Sequence, residues 1–360
     1  MGDTAALEVN DLHKSFGSVQ VLKGMTVRAR QGEFISLVGP SGCGKTTTLN
    51  IVGGFEYPDS GDVRLNGTSV VALPSYRRGL GMVFQNHALF PHMTVLENVG
   101  FGLRMRGTPR ADAVESAREA LRLVRLEGFE DRYPRELSGG QQQRVGIARA
   151  LAVKPKVLLM DEPLSSLDAK LRREMQVELR RIQKSVGITA LYVTHDQEEA
   201  LSLSDRVVLM NRGRIEQSGT PEEMYARPAT RFAAGFIGES NFLEAVLDEV
   251  RGGEARITLA TGERIMAAAP PSVSSGGKVH LAVRPSRLRP ATASDAGALT
   301  GKIVASAFVG SHQRLVVRLA DDSEMLMIVE ATDRLPAPDE TVSIAAAPAD
   351  WMVFPGEARE

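Results

Sequence analysis

Phe34-Ile35-Ser36-Leu37-Val38 runs directly into Gly39-Pro40-Ser41-Gly42-Cys43-Gly44-Lys45-Thr46, and Thr47 opens a helical segment at 47–53. An apolar strand, a glycine-rich turn and a helix, in that order, fit G-x-x-x-x-G-K-[ST] in the context the pattern requires. Glycines let backbone N–H groups turn inward around phosphates, and the helix N-terminus adds partial positive charge. In such a loop Lys45 reaches the β- and γ-phosphates and the Thr46 hydroxyl ligates Mg²⁺. Nucleotide binding is the expectation. Cys43 lies beside Lys45 and a helix start, both of which favour a thiolate. It reads either as an alkylation-sensitive thiol or as a small residue filling the loop.

Farther along, Val157-Leu158-Leu159-Met160 ends in Asp161-Glu162-Pro163, two carboxylates at the end of an apolar strand. In an open α/β sheet that end is where ligands bind. Asp161 is placed to hold the metal, and Glu162 to deprotonate an attacking water. A plain surface Asp-Glu-Pro turn is the alternative. His195 follows a third apolar strand, where it meets a γ-phosphate or simply starts a helix. Gln85, after the run 80–84, is a candidate bridge between Mg²⁺ and water but is uninformative by itself.

Leu137-Ser138-Gly139-Gly140-Gln141 leads into a helix reaching about Val153. Its hydroxyl and free N–H groups make a second anion site, or Ser138 is an ordinary cap. Two phosphate-grade helix starts for one nucleotide suggest two chains head to tail, each closing the other's ATP.

The remainder sets the frame. At 360 residues the chain has room for two domains or slightly more. Lys+Arg 43 against Asp+Glu 44 gives a net charge of -1, too balanced to hold a polyanion or anionic membrane. One cysteine excludes an internal disulfide framework. No apolar run reaches the roughly 18 residues of a membrane span, and Met1-Gly2-Asp3-Thr4 lacks a signal pattern, so a cytoplasmic chain is expected. Up to about residue 235, strands alternate with helices. After Asp168, Leu171, Met175, Leu179, Ile182 and Val186 form a helical stripe that Gly187 ends. Beyond, short runs at 279–283, 303–308, 315–319, 325–329 and 341–345 read as strands of a small all-β barrel or sandwich. This half has one Trp, no Tyr and few Phe. Oligonucleotide binding, which needs a basic groove with stacking aromatics, is therefore not expected.

Assembled, these residues resemble the ATPase subunit of a bacterial ABC importer over essentially the whole chain. Residues 39–46 match its Walker A loop, 158–161 with Glu162 its Walker B strand and catalytic glutamate, and 137–141 its signature segment. Gln85 matches the Q-loop, Ser166-Leu167-Asp168 the D-loop and His195 the switch histidine. Phe16 stands where the family stacks an aromatic on adenine, with Val21 nearby. The resemblance implies an α/β P-loop ATPase domain at 1–237, a mostly parallel sheet with a helical subdomain at about 86–155. A small all-β, oligonucleotide-fold-like (TOBE-type) domain follows at 238–360. It also implies a homodimeric ATP sandwich in which Lys45, Thr46, Gln85, Asp161, Glu162 and His195 face Ser138, Gly139, Gly140, Gln141 and Asp168 of the other chain.

The implied partners are integral-membrane permease subunits and, indirectly, an extracytoplasmic solute-binding protein. The implied location is the cytoplasmic face of the inner membrane. The permease contact is expected at 88–99. Phe101-Gly102-Leu103-Arg104-Met105 and Phe236-Ile237-Gly238-Glu239-Ser240-Asn241-Phe242 lean toward the polyamine branch, with sugar, ferric iron or sulfate as alternatives. Val283-Arg284-Pro285-Ser286 resembles the family's Arg-Pro-Glu segment, with Ser286 in place of the acid. A soluble relative acting on nucleic acid or the ribosome usually carries two cassettes or a long coiled coil, and this chain has neither.

Overall fold

Every residue of Phe34–Val38 is buried, as is every residue of Thr189–Val193, and runs apolar on both faces belong inside a covered parallel sheet. The computed structural model bears this out. It describes residues 5–85, 88–269, 275–331 and 337–356, so the Met1–Thr4 start lies outside the described residues.

Numbered along the chain, the elements begin with β1 (Leu7–Phe16), β2 (Val19–Ala29), β3 (Phe34–Val38), α1 (Lys45–Gly53), β4 (Ser60–Leu65), β5 (Thr68–Ser69) and β6 (Leu80–Val83). Three packed helices follow: α2 (Val95–Met105), α3 (Arg110–Leu123) and α4 (Gly139–Ala152). Then come β7 (Val157–Asp161), α5 (Ala169–Val186), β8 (Thr189–Val193), α6 (Gln197–Leu203), β9 (Arg206–Asn211), β10 (Arg214–Gly219) and α7 (Pro221–Ala226). The main sheet has the order β10-β9-β3-β8-β7-β6 and is parallel except for β10. One apolar cluster fills each face. Met160, Met175, Leu179 and Tyr192 belong to the helical side, and Leu22, Leu37, Leu49 and Val193 to the other.

A second sheet, β2-β1-β4-β5, is antiparallel and was not expected from the sequence. In β1 the register shifts between Val9 and Leu12 and again after Leu12 and Lys14, and Asp11 sits at φ 47. Bulges break the alternation that period-two reading depends on. In α5, Met175, Leu179 and Ile182 are buried as the stripe predicts. Val186, the last step, is 43% exposed, and the Gly187 N–H closes the helix on Gln183 O at 2.9 Å.

The chain divides into two compact units between Met224 and Tyr225, upstream of the 237/238 cut. Within the second unit, Arg284 holds the intervening segment. It donates to Tyr225 O at 2.8 Å, Ala234 O at 2.9 Å and Ser240 Oγ at 2.7 Å, and lies 4.3 Å over the Tyr225 ring. After α8 (Arg231–Phe236) this unit is all β: β11 (Asn241–Arg251), β12 (Glu254–Leu259), β13 (Arg264–Ala268), β14 (Lys278–Val283), β15 (Arg289–Ala291), β16 (Leu299–Val309), β17 (His312–Arg318), β18 (Glu324–Glu330), β19 (Thr341–Ala345) and β20 (Met352–Pro355). Two five-stranded antiparallel sheets, β13-β12-β11-β14-β20 and β15-β19-β16-β17-β18, share one core. Leu247, Ile257 and Leu281 meet Leu299, Val317, Met325 and Ile344 there. Ser286 is exposed beside buried Pro285.

Candidate nucleotide site

Strand register builds the site. Asp161 pairs with Val193, Leu37 with Val193, and Val83 with Met160. The residues just beyond β3, β8, β7 and β6 therefore emerge side by side at one edge of the sheet. These are the 39–46 loop, His195, Asp161-Glu162 and Gln85, in that order across the sheet.

The loop is a tight backbone cradle. Gly39 has φ 151, and a Cβ there would run into the Met210 carbonyl oxygen and sit 2.7 Å from Cys43 Sγ. Gly44 has φ 106, and a Cβ there would lie 2.5 Å from Leu22 and 3.2 Å from Val21 O, which places Val21 against the loop. Pro40, Ser41, Gly42 and Thr46 are exposed, while Lys45 is buried. Its ammonium turns back to donate to Gly39 O at 2.7 Å and Pro40 O at 3.0 Å. Those carbonyls hold a cation that an anionic phosphate would otherwise neutralise. Gly39→Ala combines a left-handed φ with a backbone collision. It should cost about 2 kcal/mol or more, read as a melting temperature lowered by about 4–8 °C.

Cys43 departs from the thiolate expectation. It is 3% exposed, and burial raises the thiol pKa against the opposing pull of Lys45. Alkylation should therefore be slow at neutral pH compared with a free thiol and accelerate as pH rises. A rate already at its plateau at neutral pH would contradict that.

The Thr46 hydroxyl donates to Asp161 Oδ1 at 3.4 Å. Burial, the largest influence, pushes the Asp161 carboxyl up, the Glu162 charge adds to this, and Thr46 and Lys45 oppose it. A cation at that oxygen would relieve both penalties. Among the described residues no group of three His, Cys, Asp or Glu could hold a metal. One hydroxyl and one carboxylate suit Mg²⁺, which takes few protein ligands and completes its shell with phosphate oxygens and water.

Glu162 sits at φ 42, a strained angle for a side chain of its size. Its N–H donates to Val193 O at 2.9 Å, and its carbonyl accepts from the Ser165 hydroxyl at 2.9 Å. The turn is thereby locked. His195 Nδ1 donates to Glu162 Oε2 at 2.9 Å, which orients the carboxylate. Gln85 is exposed in the turn after β6 and has no hydrogen bond among the described residues.

Phe16 ends β1 with 49% exposure and has the Lys14 ammonium 5.0 Å from its centroid. Lys14 is itself held by Glu56 Oε1 and Tyr57 O, both at 2.8 Å. Sequence reasoning misses Lys14, because its partners lie more than forty positions away and no motif joins them.

The second set gathers elsewhere. Ser138 caps α4: its hydroxyl accepts from Gln141 N–H at 3.4 Å, and its own N–H donates to Gln141 Oε1 at 2.9 Å. Asp168 caps α5 by accepting from the Lys170 and Leu171 N–H groups at 3.0 Å each. A Cβ at Gly139 would sit 3.5 Å from Leu167, and one at Gly140 3.0 Å from Leu171. The two helix starts are therefore neighbours. Among the described residues the Ser138 and Asp168 side chains bond within their own helices and to none of residues 39–46.

Known proteins resemble this chain over most of its length. Residues 22–165 match the ABC transporter family and residues 281–354 the TOBE domain. A protein of Rubrobacter xylanophilus named spermidine/putrescine import ATP-binding protein PotA is 47% identical, with 96% of this chain and 92% of that protein aligned. The Fe(3+) ions import ATP-binding protein FbpC of Rhizobium etli is 45% identical, with 93% of each aligned. Among solved structures, CbiO1 of Clostridium perfringens, described as part of an ABC transporter complex, superposes with TM-score 0.57 at 30% identity. The match covers 62% of this chain and 92% of that one. On the strength of relatives aligned over nearly all its length, the chain belongs to the ABC transporter family, as an ATP-binding protein with a C-terminal TOBE domain.

Proposed function

We propose that this protein is the ATP-hydrolysing subunit of a membrane importer for polyamines of the spermidine/putrescine class. The observation that carries the ATPase part is the row of Lys45, Thr46, Asp161, Glu162 and His195 along one sheet edge, with His195 bonded to Glu162. Lys45 binds the β- and γ-phosphates once it leaves the Gly39 and Pro40 carbonyls. Thr46, Asp161 and Gln85 would hold Mg²⁺, which would neutralise charge on the phosphate oxygens. Glu162 accepts the proton of the attacking water. His195 holds Glu162 in place and meets the γ-phosphate, and Phe16 stacks on adenine.

A complete site takes two identical chains. Ser138, Gly139, Gly140, Gln141 and Asp168 form one pair of helix starts, exposed at Ser138, Gly139 and Asp168, whose side chains do not bond to their own phosphate loop, which suits them to close the site of a partner. Integral-membrane permease subunits and an extracytoplasmic binding protein complete the importer. The chain sits peripherally on the cytoplasmic face of the inner membrane, in keeping with the lack of any helix long and apolar enough to cross a membrane among the described residues. The polyamine assignment is supported by the printed names of relatives at 43–47% identity. The iron-import relative at 45% supports ferric iron as the second reading.

Uptake decides between them. A strain lacking this gene, supplied with wild type or Glu162→Gln, is given labelled putrescine, spermidine, a disaccharide and ferric iron in parallel. Restoration of polyamine uptake by wild type alone is expected. Restoration of iron alone favours the second reading, and restoration of none contradicts the importer assignment.

A further inference from the structure

Behind the Glu162–His195 pair lies a second charged cluster that the chemistry above does not use. Glu199, on α6, has a side chain only 3% exposed. Its Oε2 accepts from the Tyr192 hydroxyl at 2.6 Å and the Thr194 hydroxyl at 2.8 Å. Its Oε1 faces Arg172 of α5, with Nε 3.7 Å away. Burial raises the Glu199 pKa most strongly, and the two hydroxyls and Arg172 oppose it.

Thr194 connects this carboxylate to the catalytic edge. Its N–H donates to Leu37 O at 3.3 Å, on the strand that feeds the phosphate loop. Its hydroxyl also accepts from the Asp196 N–H at 2.9 Å. The backbone on both sides of His195 is thus held by one buried hydroxyl that Glu199 anchors.

Arg172 carries the connection in the other direction. Nη2 donates to Leu167 O at 3.0 Å, one residue before Asp168, and Nη1 lies 3.4 Å from Asp196 Oδ2. Nε is buried without a hydrogen bond, facing Glu199 Oε1 at a separation too long for one. A buried donor left unmade is costly, and movement of a few tenths of an ångström toward Glu199 would satisfy it. The cluster therefore has a loose arrangement, seen here, and a tight one within short reach.

We infer that Glu199 and Arg172 are positioning residues for hydrolysis, forming a strut between the turn that ends at Asp168 and the loop that carries His195. The inference rests on the two-chain reading above, in which Asp168 meets the partner while His195 serves its own chain's nucleotide. Engagement of Asp168 shifts the Leu167 carbonyl and with it the guanidinium. Arg172 then closes on Glu199, and Thr194 and Asp196 fix His195 against Glu162. The His195–Glu162 bond is already formed in the single chain, and with the partner in place the strut holds it more firmly for proton transfer.

The test uses the purified full chain as Glu199→Gln, Arg172→Gln and the double variant, with kcat, the KM for ATP and melting temperature measured for each. Gln retains the volume of Glu199 and can still accept from both hydroxyls. Each single variant should lose about tenfold in kcat with KM within about twofold of wild type. The double variant should be no slower than the slower single, because both break one link. In a His195→Ala background, Glu199→Gln should cause no further loss. Unchanged kcat in the singles would overturn the inference. So would losses that multiply in the double variant and follow the loss of folded protein, the mark of a merely structural ion pair. If wild type hydrolyses ATP at an undiminished rate per chain where light scattering finds only monomer, the two-chain reading fails and the strut falls with it. If wild type behaves as a two-chain ATPase and the variants match it, the strut alone fails.

Discussion

Glu162→Gln is expected to bind ATP while hydrolysing it roughly 10²–10⁴-fold more slowly, the usual worth of a positioned general base. Glutamine keeps the shape of the side chain. Its side-chain carbonyl can still accept from His195 Nδ1, and the backbone N–H of residue 162 can still bond to Val193 O, so the strained turn and the fold should persist. What it lacks is a basic oxygen. It also removes a negative charge beside Asp161, where that charge helps raise the carboxyl pKa. Loss of the charge should ease the approach of an anionic γ-phosphate. ATP and Mg²⁺ should therefore trap a stable pair of chains, seen by light scattering as a doubling of mass. A variant that stays monomeric with ATP, or hydrolyses at the wild-type rate, contradicts the assignment.

Ser138→Arg should abolish hydrolysis while leaving ATP binding by the single chain within about twofold of wild type. Ser138 and Gly139 are exposed at the start of α4, and the Ser138 hydroxyl bonds to the Gln141 N–H rather than to any residue of the phosphate loop. Arginine there removes the hydroxyl, blocks the free N–H groups and puts bulk where the proposed two-chain site would receive a partner's phosphate. Removing a donor aimed at a reacting anion typically costs about 10²–10³ in rate. Loss of the cap should add only about 1 kcal/mol of instability, too little to unfold the chain. ATP affinity, measured by equilibrium binding at low protein concentration, separates the possibilities. Loss of binding together with hydrolysis would place Ser138 in its own chain's site or in its core.

Legibility followed physics. The strands feeding the site read cleanly because parallel strands covered on both faces must be continuously apolar, and β3 occupies the expected residues while β7 extends by one residue to Asp161. Among the site residues, Thr46 reaches Asp161 and His195 reaches Glu162, while Lys45 is turned onto the Gly39 carbonyl. The β1–β2 ribbon was not legible, since bulges scramble its alternation. In the second unit the five expected strands are present as β14, β16, β17, β18 and β19. The hairpin β11–β12, with Leu243, Ala245 and Leu247 turned inward and a two-residue Gly252-Gly253 turn, has no apolar run longer than Ala245-Val246-Leu247. Its signal was period-two alternation, which a search for apolar runs passes over. The Glu199–Arg172 contact spans two helices and leaves no local pattern, and neither does the burial that overrides Lys45 at Cys43.

The central proposal is that a complete ATP site needs two chains. The most direct test is the turnover of the purified wild-type chain across a wide range of protein concentration at saturating ATP and Mg²⁺. Hydrolysis per chain should rise with concentration and then level off as pairs form. A rate per chain that stays flat down to concentrations where light scattering finds only monomer would show that one chain holds the whole site.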